Sequence, residues 1–180
     1  MKSIVIITAL PLEQEAIVSK LSGVEIYEHP ESKSQYKIGY CLSNGNRLKI
    51  IVGRSNQTHV NAAIETERMI QHFDPSHILF VGIAGGLKDV TIGDIVIGAD
   101  VYGYERAKVT EEFLSRPKFA FSSYDLEMKA VDFSNSSKWE KKSFSITDQK
   151  FQKQVAVFSG TIASGEKVVA STESDLFKFI

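Results

Sequence analysis

The chain is 180 residues long, 43% hydrophobic and 24% charged, with 12 glycines and 4 prolines, a composition that excludes disordered, collagen-like and membrane-embedded classes. With 21 basic against 22 acidic residues the formal net charge is −1, so no bulk positive field exists to hold a nucleic-acid backbone, and DNA or RNA is not an expected partner. The one cysteine, Cys41, allows no internal disulfide, no Cys/His cluster has zinc spacing, and no run approaches the ~20 apolar residues that span a bilayer; the expected setting is the cytoplasm, without metal or membrane.

The length suits a single domain over 1–180. Ile4 to Ile7 is a β-branched run, the mark of a strand covered on both faces, and Thr8-Ala9-Leu10-Pro11 leads from it into a helix predicted over Leu12 to Leu21. A strand followed directly by a helix opens an α/β fold. Tyr36 to Leu42 and Arg47 to Val52 form an antiparallel hairpin through Ser43-Asn44-Gly45-Asn46, where Asn-Gly supplies the positive φ angles of a tight turn. Ser55 to Thr58 starts a helix whose apolar positions Val60, Ala63, Ile64, Ile70 and Phe73 recur at helical spacing up to Asp74-Pro75.

His77 to Val81 reads as another buried strand. It ends in Gly82-Ile83-Ala84-Gly85-Gly86-Leu87, after which Thr91-Ile92-Gly93-Asp94 turns the chain into a strand over Ile95 to Val101. Tyr102 to Phe121 loses periodicity and carries Arg106, Lys108 and Arg116, which predicts a long surface excursion whose mixed charges are more simply solvated than phosphate-binding. Ser122 or Ser123 caps a helix through Tyr124, Leu126 and Val131; Ser134 to Lys142, with Trp139, is a loop or the end of that helix. Val155 to Ile162 is strand-like, Ser164-Gly165-Glu166 a turn, Val168-Val169 apolar, and Ser171-Thr172 opens a helix. Leu176-Phe177-Lys178-Phe179-Ile180 is unusually apolar for a terminus, which favours an excerpt of a longer protein over a naturally short one.

Ligands of α/β sheets bind where strands exit into loops and helix N-termini. Three such junctions stand out: Thr8 to Glu13, Gly53 to Thr58 and Gly82 to Leu87. Gly85-Gly86 lets backbone N–H groups approach a flat or anionic ligand that a Cβ would repel. The spacing Gly-x-x-Gly-Gly is not a dinucleotide fingerprint, and taken alone such a turn is more often structural. His29, His59, His72 and His77 have no metal spacing and read as surface or helix-end residues, and Cys41 as a small buried apolar group.

Thr8-Ala9-Leu10-Pro11-Leu12-Glu13, Val81 to Leu87, Ile92-Gly93-Asp94-Ile95-Val96 and Ile162-Ala163-Ser164-Gly165-Glu166 occur in the order found in the purine nucleoside phosphorylase and uridine phosphorylase superfamily, which the chain resembles from residue 3 to about 175. The methylthioadenosine/S-adenosylhomocysteine nucleosidases are the most similar branch. Val101 to Glu105 through Arg116-Pro117 further resembles nucleosidase-like domains attached to larger signalling or defence proteins. The resemblance implies a three-layer α/β/α fold around a mixed, largely parallel sheet, C-terminally incomplete, and cleavage of the N-glycosidic bond of a purine nucleoside or nucleotide. Water cleaves the bond in nucleosidases and phosphate in phosphorylases. A non-catalytic nucleoside-binding module and a ligand-free scaffold are the other readings.

An oxocarbenium-like ribose needs carboxylates to position the nucleophile, and the purine needs an acid as it leaves. By the resemblance, Glu13 is the water-positioning glutamate, in a helix first turn where the dipole favours negative charge but where acids also serve as plain helix stabilisers. Glu15, on another side of the helix, takes no role. Ala9, Ile83, Ala84, Gly85, Gly86 and Glu166 match positions lining the ribose and base, and Val168 and Val169 match those flanking the purine. Ile83 stands where the nucleosidases have a serine, and Val168-Val169 replaces an aromatic followed by an aliphatic. Arg54-Ser55-Asn56-Gln57-Thr58 replaces a Gly-x-Gly turn, leaving Arg54 to hold a phosphate or to stand exposed. The family's Met-Glu and Ser-Asp motifs would lie beyond Ile180, so this chain carries at most one of the three acids. No cofactor is implied, and a homo-oligomer is.

Overall fold

A computed structural model describes residues 3–109, 113–136, 139, 155–167 and 173–174. Its chain divides into two compact units, Met1–Ala84 and Gly85–Ile180.

The first unit is a five-stranded sheet with two helices. In chain order its elements are β1 (Ser3–Thr8), α1 (Pro11–Val18), β2 (Ser22–Glu28), β3 (Gln35–Ser43), β4 (Asn46–Arg54), α2 (His59–Phe73) and β5 (His77–Phe80). The strand order is β2-β3-β4-β1-β5. β1 runs parallel to both β4 and β5, whereas β2–β3 and β3–β4 are antiparallel. Hydrophobic patterning explains the centre: Val5, Ile7, Tyr36, Ile38, Ile51 and Met69 form the core, with Tyr27, Phe73 and Ile78 packed on it. Each such fully covered side chain contributes on the order of 1.5–3 kcal/mol. α2 packs on β4 at Gly53, where a Cβ would overlap the Met69 thioether.

Asn44 and Gly45 both take positive φ, 50° and 77°, which matches the turn read from Asn-Gly. α2 begins and stops as expected, with the Thr58 hydroxyl accepting from the Asn61 N–H and Asp74 left-handed after the last turn. α1 ends at Val18, three residues before Leu21, and β2 follows where no strand was expected. β5 is not a buried strand. Among the described residues it stands at the edge of its sheet, paired only with β1, and leaves Leu79 and Phe80 exposed.

The second unit contains β6 (Ile95–Gly103), β7 (Ala107–Val109), β8 (Phe113–Ser115), β9 (Lys118–Phe121), α3 (Tyr124–Ser134) and β10 (Val157–Ser164). β10 and β6 are parallel, with a bulge between Gly160 and Thr161, and β9 pairs antiparallel with β6. The supposed surface excursion over 102–121 is therefore largely strand: Phe119 and Phe121 register against Tyr102 and Asp100, and β7–β8 forms its own hairpin. Asp94 clasps the turn before β6, accepting from the Thr91 N–H and hydroxyl on Oδ2 (both 2.9 Å) and from the Ala156 N–H on Oδ1 (3.0 Å). The Gly-Asp motif thus joins the starts of two parallel strands. Cys41 is free and half-buried rather than buried. Among the described residues no helix is long and apolar enough to cross a membrane.

Candidate functional site

In the first unit the parallel strands β4, β1 and β5 end side by side, at Arg54, Thr8 and Phe80. Beyond each end the chain leaves the sheet, and there loop amides and helix N-termini become available to a ligand. Two buried hydroxyls tie the ends together. The Thr8 hydroxyl donates to the Gly53 carbonyl (3.3 Å), while the Ser55 N–H donates to the Thr8 carbonyl (2.9 Å) and the Ser55 hydroxyl lies between that carbonyl (3.3 Å) and the Asn56 carbonyl (2.8 Å).

Glu13 sits at the centre of this edge, at the third position of α1, and is only 7% exposed. Pro11 starts the helix, as its fixed φ permits. Leu10 has no side chain able to cap it, so Glu13 reaches back: Oε2 accepts from the Ala9 and Leu10 N–H groups at 2.9 and 2.8 Å. Those two bonds are local and resemble half of a capping box. The third is not local. Oε1 accepts from the Ile83 N–H, 70 residues away, at 2.8 Å. A carboxylate offers about four acceptor positions; both on Oε2 and one on Oε1 are engaged, which leaves one on Oε1.

Gly82 carries a requirement the sequence reading overlooked. A Cβ there would lie 3.0 Å from Glu13 Oε1 and 3.3 Å from its Cδ, tighter than ordinary contact. Thr8 and Ser55, also overlooked, carry their signal in type and place: small hydroxyls at strand exits, where backbone carbonyls need donors.

The remaining expectations divide between the units. Ala9, Glu13 and Ile83 are brought together directly; Ile83 is 73% exposed and Ala84 also faces solvent. Arg54 is exposed, registered beside Thr8. Asn56 and Thr58, where Gly-x-Gly was expected, adopt φ of 60° and 94°. The loop keeps the backbone a glycine turn would take and adds side chains to it, which is strained for a β-branched residue.

Gly85 and Gly86 open the second unit. A Cβ on Gly86 would press on Val90 at 2.9 Å, whereas one on Gly85 would meet nothing within 4 Å; packing therefore explains the second glycine and not the first. Glu166 is exposed, and its N–H donates to Glu105 Oε2 at 2.7 Å, while Glu105 Oε1 pairs with Lys167 at 2.7 Å. Gly165 lies against buried Tyr104, whose ring leaves no room for a Cβ. Burial, together with the Glu105 charge, pushes the Tyr104 hydroxyl above its usual range. Val168 and Val169 lie outside the described residues. Among the described residues no three His, Cys, Asp or Glu side chains gather as a metal site.

The fold is shared with known proteins. ATP nucleosidase Cap17 of Escherichia coli is 31% identical over 123 residues, 64% of this chain and 24% of that protein. The 5'-methylthioadenosine/S-adenosylhomocysteine nucleosidase of Chromohalobacter salexigens is 27% identical over 121 residues, 62% of this chain and 49% of that protein. This chain thus spans half or less of either relative. The crystal structure of the Neisseria meningitidis 5'-methylthioadenosine/S-adenosylhomocysteine nucleosidase, in complex with methylthio-immucillin-A, superposes with a TM-score of 0.67 at 23% identity, covering 96% of this chain and 68% of that one. The α/β architecture, with mixed sheets parallel at β4-β1-β5 and β6-β10, is the fold of that structure. The match to the phosphorylase superfamily runs over residues 3–179, and the protein belongs to that family.

Proposed function

We propose that the protein is a purine N-ribosyl hydrolase, cleaving the N-glycosidic bond of a purine nucleoside or nucleotide with water. The observation that carries this reading is the Glu13 carboxylate, buried at the C-terminal edge of three parallel strands, anchored by three backbone N–H groups and retaining one acceptor position on Oε1. Rigid anchoring of that kind suits a base that must aim one water. The nucleosidase activities named for two relatives, and the immucillin bound in a structure of the same fold, support it.

The water rests on Glu13 Oε1. As its oxygen bonds to ribose C1′, Glu13 takes its proton, the C1′–N bond breaks, and the bonding pair leaves with the purine, which is protonated by a general acid. Ala9, Ile83 and Ala84 line the ribose side in this reading. Arg54 meets phosphates if the substrate is a nucleotide. The two units act as one domain, which the continuous family match supports, and the enzyme is a cytoplasmic homo-oligomer without cofactor.

The test is release of free base by the protein as the cell makes it, from adenosine, methylthioadenosine, S-adenosylhomocysteine and ATP, with and without inorganic phosphate. Base release without phosphate is expected from at least one substrate. Strict dependence on phosphate would make the enzyme a phosphorylase, and nucleoside binding with no release would make it a sensing module.

A further inference from the structure

Away from the site, α2's last turn carries an arrangement the proposed reaction does not use. The rings of His29 and His72 stack at 3.5 Å between centroids with an interplanar angle of 8°. His29 closes the turn between β2 and β3, and its Nδ1 accepts from the Ser32 N–H at 3.2 Å and, more weakly, the Glu31 N–H at 3.4 Å. Backbone bonds from His29 N–H to the Ser34 carbonyl (2.9 Å) and from Lys33 N–H to the His29 carbonyl (3.0 Å) complete the turn. His72 Nδ1 lies 3.2 Å from the hydroxyl of Tyr36, itself buried in the core.

Toward the Glu31 and Ser32 N–H groups the Nδ1 of His29 is an acceptor, the role of a ring nitrogen that carries no proton. An imidazolium donates from both nitrogens and would turn an N–H toward the Glu31 and Ser32 amides. It would also place a cation against the face of His72.

We propose that the His29–His72 stack is an acid-released latch, which pins the 30–34 turn to the last turn of α2 while both rings are neutral and frees that turn when the pair takes up a proton. The titratable and charged groups facing the pair are Tyr27 from β2, Glu31 from the turn, Tyr36 from β3 and Arg68 from α2, with Glu65 beyond them against Tyr36 and Arg68. Burial, the neighbouring His29 and Arg68 hold the His72 ring below the ordinary histidine value, with Glu31 opposing them. Burial likewise raises Glu65, against the opposing pull of Arg68 and Tyr36. Because His72 binds its proton less tightly folded than unfolded, its contribution to stability is complete above about pH 6.5 and is lost as pH falls through the lower folded value.

Amide and imidazole NMR from about pH 8 to about pH 5 tests the latch. In the wild type the Glu31 and Ser32 amides should shift, and the heteronuclear NOE of residues 30–34 fall, as the pair titrates. The sheet amides should hold their positions. In His29→Gln, whose side-chain oxygen accepts from the same amides without titrating, both responses should vanish and the His72 midpoint should rise, since the neighbouring His29 is one of the groups that hold it down. Silent Glu31 and Ser32 amides in the wild type, a response that persists in His29→Gln, or an unmoved His72 midpoint would each overturn it.

Discussion

Glu13 and Asp94 use the same bonds at opposite ends of parallel strands. Each carboxylate accepts at least three hydrogen bonds, two on one oxygen from its own turn and one on the other from a distant backbone N–H, that of Ile83 or of Ala156. Asp94 joins the starts of β6 and β10, whereas Glu13 joins the exits of β1 and β5. Strand starts in α/β sheets are stapled for stability, and strand exits receive ligands. Bond count alone therefore does not tell the two acids apart; the end of the sheet on which each stands does, and the proposed function rests on that difference.

Glu13→Gln tests the exit side and has the largest expected effect, a fall in base release of about 10²–10⁴-fold with nucleoside affinity within a few-fold. An amide cannot accept on its nitrogen, so some stability goes too; Glu13→Asp, which keeps the charge, separates folding from chemistry if thermal melts are read beside rates. Asp94→Ala tests the start side. It should cost about 2–4 kcal/mol in denaturant unfolding, as expected for losing charge-assisted bonds at a partly exposed site, and leave the rate per folded molecule unchanged.

The glycines sharpen the contrast at lower amplitude. Gly82→Ala pushes on Glu13 Oε1 and should lower kcat by about tenfold, the cost of moving a positioned group by a fraction of an ångström. Gly85→Ala meets no neighbour within 4 Å, so its melting temperature should match the wild type, and a loss of nucleoside affinity there would mark a ligand against the bare backbone. Thr58→Gly is the smallest. Relief of a φ of 94° outweighs the lost cap and should raise stability by about 0.5–1 kcal/mol.

What the sequence made legible was local. The Ile4 to Ile7 run, the Asn44-Gly45 turn and α2 up to Asp74-Pro75 each carry their instruction within a few residues. β2 was missed because Val24 and Ile26 are exposed, so no burial pattern singles them out; β5 was overread because apolar residues do not reveal that they lie at an edge. The strands within 102–121 are short, and Phe119 and Phe121 remain exposed. For the site, chain position gave Glu13 its helix turn, and the resemblance gave it a role. The bond to Ile83 could not be read, since it depends on β1 and β5 becoming neighbours across 70 residues. Gly82 was passed over for the more conspicuous Gly85-Gly86, although its missing Cβ is what makes room for the carboxylate.

The most direct measurement sets the two acids side by side: single-turnover release of adenine by Glu13→Gln and Asp94→Ala, each scaled to its folded fraction. Release should collapse in the first and equal the wild type in the second. Equal rates in both, or a collapse in Asp94→Ala alone, would contradict Glu13 as the group that positions the attacking water.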